Sequence, residues 1–218
     1  MFVDIHTHLD NQSVIKIVDE FSEKILKTWG IHPWDLRHFD RPQGAEKYHS
    51  IAEDFSTPLR SARNDVWAIG EVGLDKAHKE TFDKQIEVFE EMIRLSENFK
   101  KPVIIHCVRA YSEIIEMRKK TKATMPWVIH GFNSSMETMK QLLKYDVYIS
   151  LGEILYHNEN KAVKLLKNIP VDRLFLETDV SGRDIRDVYS KAAELRGCNM
   201  DYLCKKLFEN YGRLETTH

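Results

Sequence analysis

The sequence predicts an α/β protein in which a parallel sheet is covered by helices. Short runs rich in Val, Ile, Phe and Trp alternate with longer amphipathic stretches along the whole chain, the pattern of strand followed by helix. No low-complexity tract or linker interrupts that alternation. The length, 218 residues, allows one substantial core and suits an α/β barrel on the short side, so one domain over residues 1–218 is expected.

Each element has a local reason. In residues 2–9, Val3, Ile5 and Leu9 alternate with Asp4, His6 and His8, the period of a strand. Residues 13–18 suit a strand or a helix. Further strands are expected at 24–31, 66–72, 103–107, 127–130, 147–151 and 174–178. Between 81 and 100, Phe82, Ile86, Phe89, Ile93 and Phe99 keep roughly helical spacing, and helices are also expected at 112–120, 135–144, 161–168 and 185–196. Residues 201–210 read as a closing helix. The stretch 41–65, polar and carrying Pro42 and Pro58, is the least patterned and reads as an irregular loop with a helix or as a lid.

Composition removes several function classes. Hydrophobic residues at 42% and charged residues at 30% describe an ordinary folded protein, not a disordered or fibrous one. A net charge of -2 gives no global pull toward nucleic acid, and no apolar run approaches a membrane span. Asp4 interrupts the apolar start early, so no secretory signal is expected. Cys107, Cys198 and Cys204 form no CxxC pair and read as reduced thiols in a cytoplasmic protein. Nothing in the chain points to a protein partner.

The chemistry concentrates at strand ends. His6 and His8 share a face with Asp4, "VWAIGEVGLD" carries Glu71, and "PVIIHC", "WVIHGF" and "RLFLETD" end in His106, His130 and Asp179. Ligands at the C-terminal ends of successive parallel strands converge on one mouth of a barrel. Burying such groups unpaired costs several kcal/mol each, so five strands ending this way are better explained by metal than by packing. Four histidines and two carboxylates exceed the needs of one catalytic zinc, which takes about three protein ligands. Two ions sharing a carboxylate is the simplest account, and Glu71, with histidines on both sides, is the natural bridge. His32 in "WGIHPW" follows an apolar run and turns out at Pro33 toward the same mouth, where it is expected either to touch substrate or to cap the turn. His38, His49, His78, His157 and His218 fall in polar loops or at the terminus and are expected to be exposed. Asp4 and Glu177, each two residues before a ligand, lie one pleat deeper and are read either as groups that orient the ligands or as buried acids satisfied by backbone amides.

Taken together, "DIHTHLD", "GIHPW", "IGEVGLD", "KPVIIHC", "VIHGF" and "LFLETD" resemble, in order and over nearly the whole chain, the TatD-type metal-dependent hydrolases. These are usually described as deoxyribonucleases within the wider amidohydrolase-like barrels. The resemblance implies a TIM-type (β/α) barrel and divalent-metal-dependent phosphodiester hydrolysis. It places metal ligands on His6, His8, Glu71, His106, His130 and Asp179. The chain departs from the family pattern in four places. The stretch between His8 and "GIHPW" is short, so the barrel is slightly shortened near its N-terminus, with an element around residues 13–22 reduced or lost. "HCVRA" has Val108 and Arg109 where the family tends to place Arg and Asp. "HGFNSS" replaces a Cys and Ser-Gly pattern, and "ETDVSGRD" lacks the usual Pro-aromatic pair.

The expected reaction is metal-assisted hydrolysis. His6, His8, Glu71 and Asp179 hold one ion, and Glu71, His106 and His130 the other. Asp179 accepts the proton of the attacking water, and the ions stabilise the attacked oxygen. Carboxylates admit magnesium or manganese, while imidazoles favour zinc. Substrate contacts are expected from His32 and Arg109, with Lys76, Asn133 and Arg183 as further rim candidates. The scattered cations suit nucleic-acid ends or small phosphoesters better than a long strand. The alternatives are hydrolysis of a cyclic amide or lactone, deamination of a base, or a metal-binding barrel without turnover.

Overall fold

The computed structural model describes residues 1–9, 12–19, 22–38 and 66–215; the expected loop or lid at 41–65, with His49 and His218, lies outside them. Eight strands close into a barrel in chain order: β1 (Phe2–Leu9), β2 (Gln12–Val18), β3 (Glu23–Trp29), β4 (Val66–Asp75), β5 (Val103–Val108), β6 (Trp127–Ile129), β7 (Val147–Leu151) and β8 (Leu174–Leu176). The helices are α1 (Phe82–Phe99), α2 (Tyr111–Thr121), α3 (Met136–Leu143), α4 (Ile154–His157), α5 (Glu159–Asn168), α6 (Ile185–Arg196) and α7 (Met200–Glu215). A 3-10 turn, Pro33–His38, follows β3.

From β3 to β8 every neighbour is parallel, and β8 closes on β1 through Asp4 and Leu176. The expectation of strand–helix alternation along the entire chain fails at the start. β2 runs antiparallel to both β1 and β3. Only residues 10 and 11 separate β1 from β2, and only 19–22 separate β2 from β3. A parallel return needs a crossover of a dozen or more residues, so the chain turns straight back. The N-terminal shortening therefore keeps the strand and drops the helices that would flank it.

Local sequence explains the remaining elements. β4 is buried on both faces over nearly its whole length, as its run of Trp67, Ala68, Ile69, Val72 and Leu74 requires. α1 presents Val88, Phe89, Met92 and Ile93 to the barrel. Ser135 caps α3 by accepting the Thr138 N–H at 3.1 Å, and Asp184 caps α6 by accepting that of Arg186 at 2.8 Å. Gly197 ends α6 at φ +72°. One apolar cluster joins strand residues such as Val72, Val103, Ile129 and Leu174 to helix residues such as Phe89, Ile114, Leu165 and Tyr189. A second gathers Ile5, Ile15, Ile104, Val128 and Phe175. Both hold the strand ends in fixed positions around one mouth.

Candidate metal centre

Glu71 is the hub of that mouth. One carboxylate oxygen, Oε2, lies 3.3 Å from His6 Nε2 and 3.5 Å from His8 Nε2. The other, Oε1, lies 2.7 Å from His130 Nε2, 3.0 Å from His106 Nδ1 and 3.2 Å from His32 Nε2. Asp179 Oδ1 completes the first group, at 3.6 Å from His6 Nε2 and 3.5 Å from His8 Nε2. All six ligand residues expected from the sequence thus meet, and His32 joins the second group.

The residues fit divalent cations. His6 is fully buried, yet its Nε2 faces Glu71 and Asp179 without a hydrogen bond, and a buried imidazole nitrogen left without one is costly. Donors bound at 2.0–2.2 Å around one ion sit about 3.0–3.5 Å from each other at tetrahedral or octahedral angles. The distances from His6 and His8 to the Glu71 and Asp179 oxygens, 3.3–3.6 Å, lie at the upper end of that range.

Electrostatics follow the same division. Burial alone would raise the Glu71 carboxyl, but His130, His106 and His32 outweigh it and hold it well below the ordinary range. Burial also opposes ionisation of Asp179, yet His6 and His8 keep its carboxyl low. Close contacts with the Asp179 and Glu71 carboxylates push the His8 imidazole up to about 9. For His6, burial and His130 act downward, and contacts with Asp179 and Glu71 reverse them, so the net shift is upward. The mouth is an ionised carboxylate pair wrapped in imidazoles.

Backbone geometry holds these groups. Asp179 adopts φ +48°, a left-handed conformation that Asp tolerates better than most residues. Its N–H donates to His6 O at 3.0 Å, and Thr7 Oγ1 donates to its carbonyl at 3.2 Å. Gly73 sits at φ +144°, where a Cβ would stand 2.0 Å from His106 O; only glycine lets β4 pass this close to β5.

The deeper acids behave differently from each other. Glu177, 1% exposed, faces His130 Nδ1 at 3.8 Å and accepts the Gly131 N–H at 2.5 Å. Asp4 does not hydrogen-bond a ligand. Its oxygens accept the Thr178 N–H at 2.9 Å and the Thr178 hydroxyl at 2.6 Å, so it fastens β1 to the segment that carries Asp179. Burial raises its carboxyl to about 7 despite these bonds.

The sequence reading missed Asp75 and Ser13. Asp75 accepts the Trp34 indole N–H at 2.6 Å and the Ala77 N–H at 2.7 Å, and its Oδ2 lies 3.3 Å from His106 Nε2. It shares strand parity with Glu71 inside "IGEVGLD", a signal that was available. Ser13 Oγ lies 3.2 Å from His6 Nδ1, and no sequence signal pointed there.

A cleft of about 630 Å³ opens over the centre, lined among others by His8, Ser13, Lys27, His32, Trp34 and Asp179. Arg109, expected at the substrate, is exposed and lines a neighbouring depression with Cys107, Tyr111 and Asn133 instead. The left-handed backbone at Arg109, φ +56°, follows β5 out of the mouth and away from the ligands. The other rim candidates are engaged: Lys76 with Glu113 at 2.5 Å, Asn133 with Lys161 at 2.6 Å, and Arg183 with Glu153 at 3.3 Å. His157 is exposed, as expected, whereas His78 is half-buried against Trp34.

The comparisons with known proteins agree with this geometry. The profile of the TatD-related DNase family matches residues 1–216. YabD of Bacillus subtilis, an uncharacterized metal-dependent hydrolase, is 36% identical over 204 residues, covering 82% of this chain and 80% of its own. A 3'-5' ssDNA/RNA exonuclease TatD of Edwardsiella piscicida is 28% identical over 191 residues, covering 86% and 70%. The crystal structure of YjjV, a TatD homologue from Escherichia coli, superposes with a TM-score of 0.74 over 87% of this chain and 76% of that one, at 23% identity. Barrel, clustered histidines and carboxylates, and sequence profile converge: the chain belongs to the TatD-related DNase family.

Proposed function

We propose that this protein hydrolyses phosphodiesters with two divalent cations, acting on nucleic-acid ends or small phosphoesters. The observation that carries the reading is the division of Glu71, one oxygen toward His6 and His8 and the other toward His106 and His130. His6, His8, Glu71 and Asp179 would hold one cation, and Glu71, His106 and His130 the other. Magnesium, manganese and zinc all suit this mixed donor set. Bound there, the cations supply the acidity that makes water a nucleophile near neutral pH and the charge that stabilises the attacked phosphoryl oxygens.

The chain's own groups do the rest. Asp179, kept ionised by His6 and His8 and partly exposed in the cleft, accepts the proton of the attacking water at its carboxylate. His32 sits beside Glu71 at the rim and orients the substrate phosphate through Nε2. Arg109, one depression away, serves a more distant part of the substrate. Lys76 and Arg183 are paired with Glu113 and Glu153 and so add little charge for tracking a long polyanion, which supports weak and only shallowly salt-dependent binding of long DNA. The exonuclease activity named for the Edwardsiella relative supports nucleic-acid ends. No helix among the described residues is long and apolar enough to cross a membrane, and the free thiols Cys107, Cys198 and Cys204 suit a reducing cytoplasm.

The test uses the purified chain, stripped by a chelator and reloaded with Mn²⁺. It is offered a linear single-stranded oligonucleotide, its circular form, a small phosphodiester, and a panel of lactones and amides. Cleavage of the linear strand and the small ester, with the circle spared, is expected. Turnover confined to lactones or amides would replace the phosphodiester reading, and bound metal without any hydrolysis would make the barrel a binding protein.

A further inference from the structure

We propose that Ser13 is a positioning residue for His6, delivered by the antiparallel return of β2; this rests on the metal reading above. In the usual strand–helix alternation the residue after β1 leaves the mouth on a loop. Here β2 starts at the mouth and runs down beside β1, with Ser13 in register with His8. That register sets Ser13 Oγ 3.2 Å from His6 Nδ1. His6 is fully buried, and its Nε2, turned to Glu71 and Asp179, has no hydrogen-bond partner.

The chemistry fixes the direction of the Ser13 bond. To offer a lone pair at Nε2, the neutral ring must carry its proton on Nδ1. Nδ1–H then donates to Ser13 Oγ, so the hydroxyl acts as the acceptor and its own proton points elsewhere. Ligand histidines commonly have their second nitrogen held by an oxygen in this way, and loss of the partner costs 10–100-fold in metal affinity. Ser13 is itself anchored, because Thr28 Oγ1 on β3 donates to its carbonyl at 2.7 Å. Three consecutive strands, β3, β2 and β1, thus set one imidazole.

The experiment measures Mn²⁺ affinity of the stripped full chain by chelator competition for wild type, Ser13→Ala and Ser13→Thr, with thermal melts alongside. Ser13→Ala should bind about tenfold more weakly, with an unchanged melting temperature, and Ser13→Thr should restore binding to within about threefold. Equal affinity of Ser13→Ala and wild type would overturn the proposal, whereas a wild type that binds no divalent cation would overturn the metal reading instead. Should Ser13→Ala fail to fold, the ¹¹³Cd-loaded wild type decides through nitrogen NMR of His6. Cadmium coupling at Nε2 with the proton on Nδ1 supports the assignment; the reverse arrangement refutes it.

Discussion

The affinity of the centre for a divalent cation should climb steeply between pH 6 and pH 9, and His8 should carry about one unit of that slope. His8 Nε2 lies 3.5 Å from Asp179 Oδ1 and from Glu71 Oε2, and these contacts lift its imidazole from 6.5 to about 9. A raised pKa means that the ring of the metal-free protein keeps its proton at neutral pH, and an incoming cation must displace it. At pH 7, two units below that value, about one His8 ring in a hundred is deprotonated, so a cation needing this ligand binds about 100-fold more weakly than above pH 9. His6 and His130 shift upward as well, so the full slope exceeds one. The sign for stability is opposite. The His8 contacts stabilise the metal-free fold fully below pH 6.5, and that contribution is lost as pH rises through 9. Competition with a fluorescent chelator for Mn²⁺, from pH 6 to 9, reads the slope directly, and calorimetry in buffers of different ionisation enthalpy counts the protons released. In His8→Ala the slope at pH 7 should fall by about one unit. A flat affinity in the wild type, or an unchanged slope in His8→Ala, would refute the reasoning.

Four further outcomes follow from the same geometry. Glu71→Gln removes the negative charge shared by both groups, so elemental analysis should show fewer than two cations per chain and hydrolysis should vanish; full occupancy would end the bridging assignment. Asp179→Asn should lower kcat by about 10²–10⁴-fold, the usual share of a proton-transfer group, and a defect confined to KM would contradict it. Gly73→Ala drives a Cβ to within 2.0 Å of His106 O at a backbone angle alanine avoids, so chemical denaturation should show a loss of about 3 kcal/mol or failure to fold; an unshifted midpoint would count against the close strand contact. Asp4 carries a carboxyl raised to about 7 by burial, so the folded state takes up a proton between pH 3.8 and 7 that the unfolded chain lacks, and its contribution to stability falls as pH rises through that window. Asp4→Asn should flatten the pH profile of the melting temperature there, and an identical profile would show that Asp4 is not the group titrating.

The sequence by itself determined most of the barrel's strands and which side chains crowd its mouth. β1 and β7 fall where the residue pattern places them, and both are buried on both faces over most of their length. His6, His8, Glu71, His106, His130 and Asp179 were legible for a related reason: each sits in the C-terminal half of a strand or just beyond it, and those ends of a barrel share one mouth. The central place of Glu71 was also legible, since of the two carboxylates at the mouth it alone has the mouth's histidines on both sides along the chain.

The direction of β2 was decided by connection length, a property of how the barrel must close. Six mostly apolar residues read the same whichever way the strand runs, so residues 13–18 could not declare it. Only the closed barrel shows that two connecting residues force a return, and that the return brings Ser13 to His6. The partners of Asp4 were likewise a matter of packing: strand parity put it beneath the ligands, but the β1–β8 seam turned both of its oxygens to Thr178. Arg109 was placed by the left-handed exit of the chain after β5, which aims it into the next depression. Side chains on regular strands inherit their direction from a local period, whereas groups on exits and seams take theirs from contacts far apart in sequence.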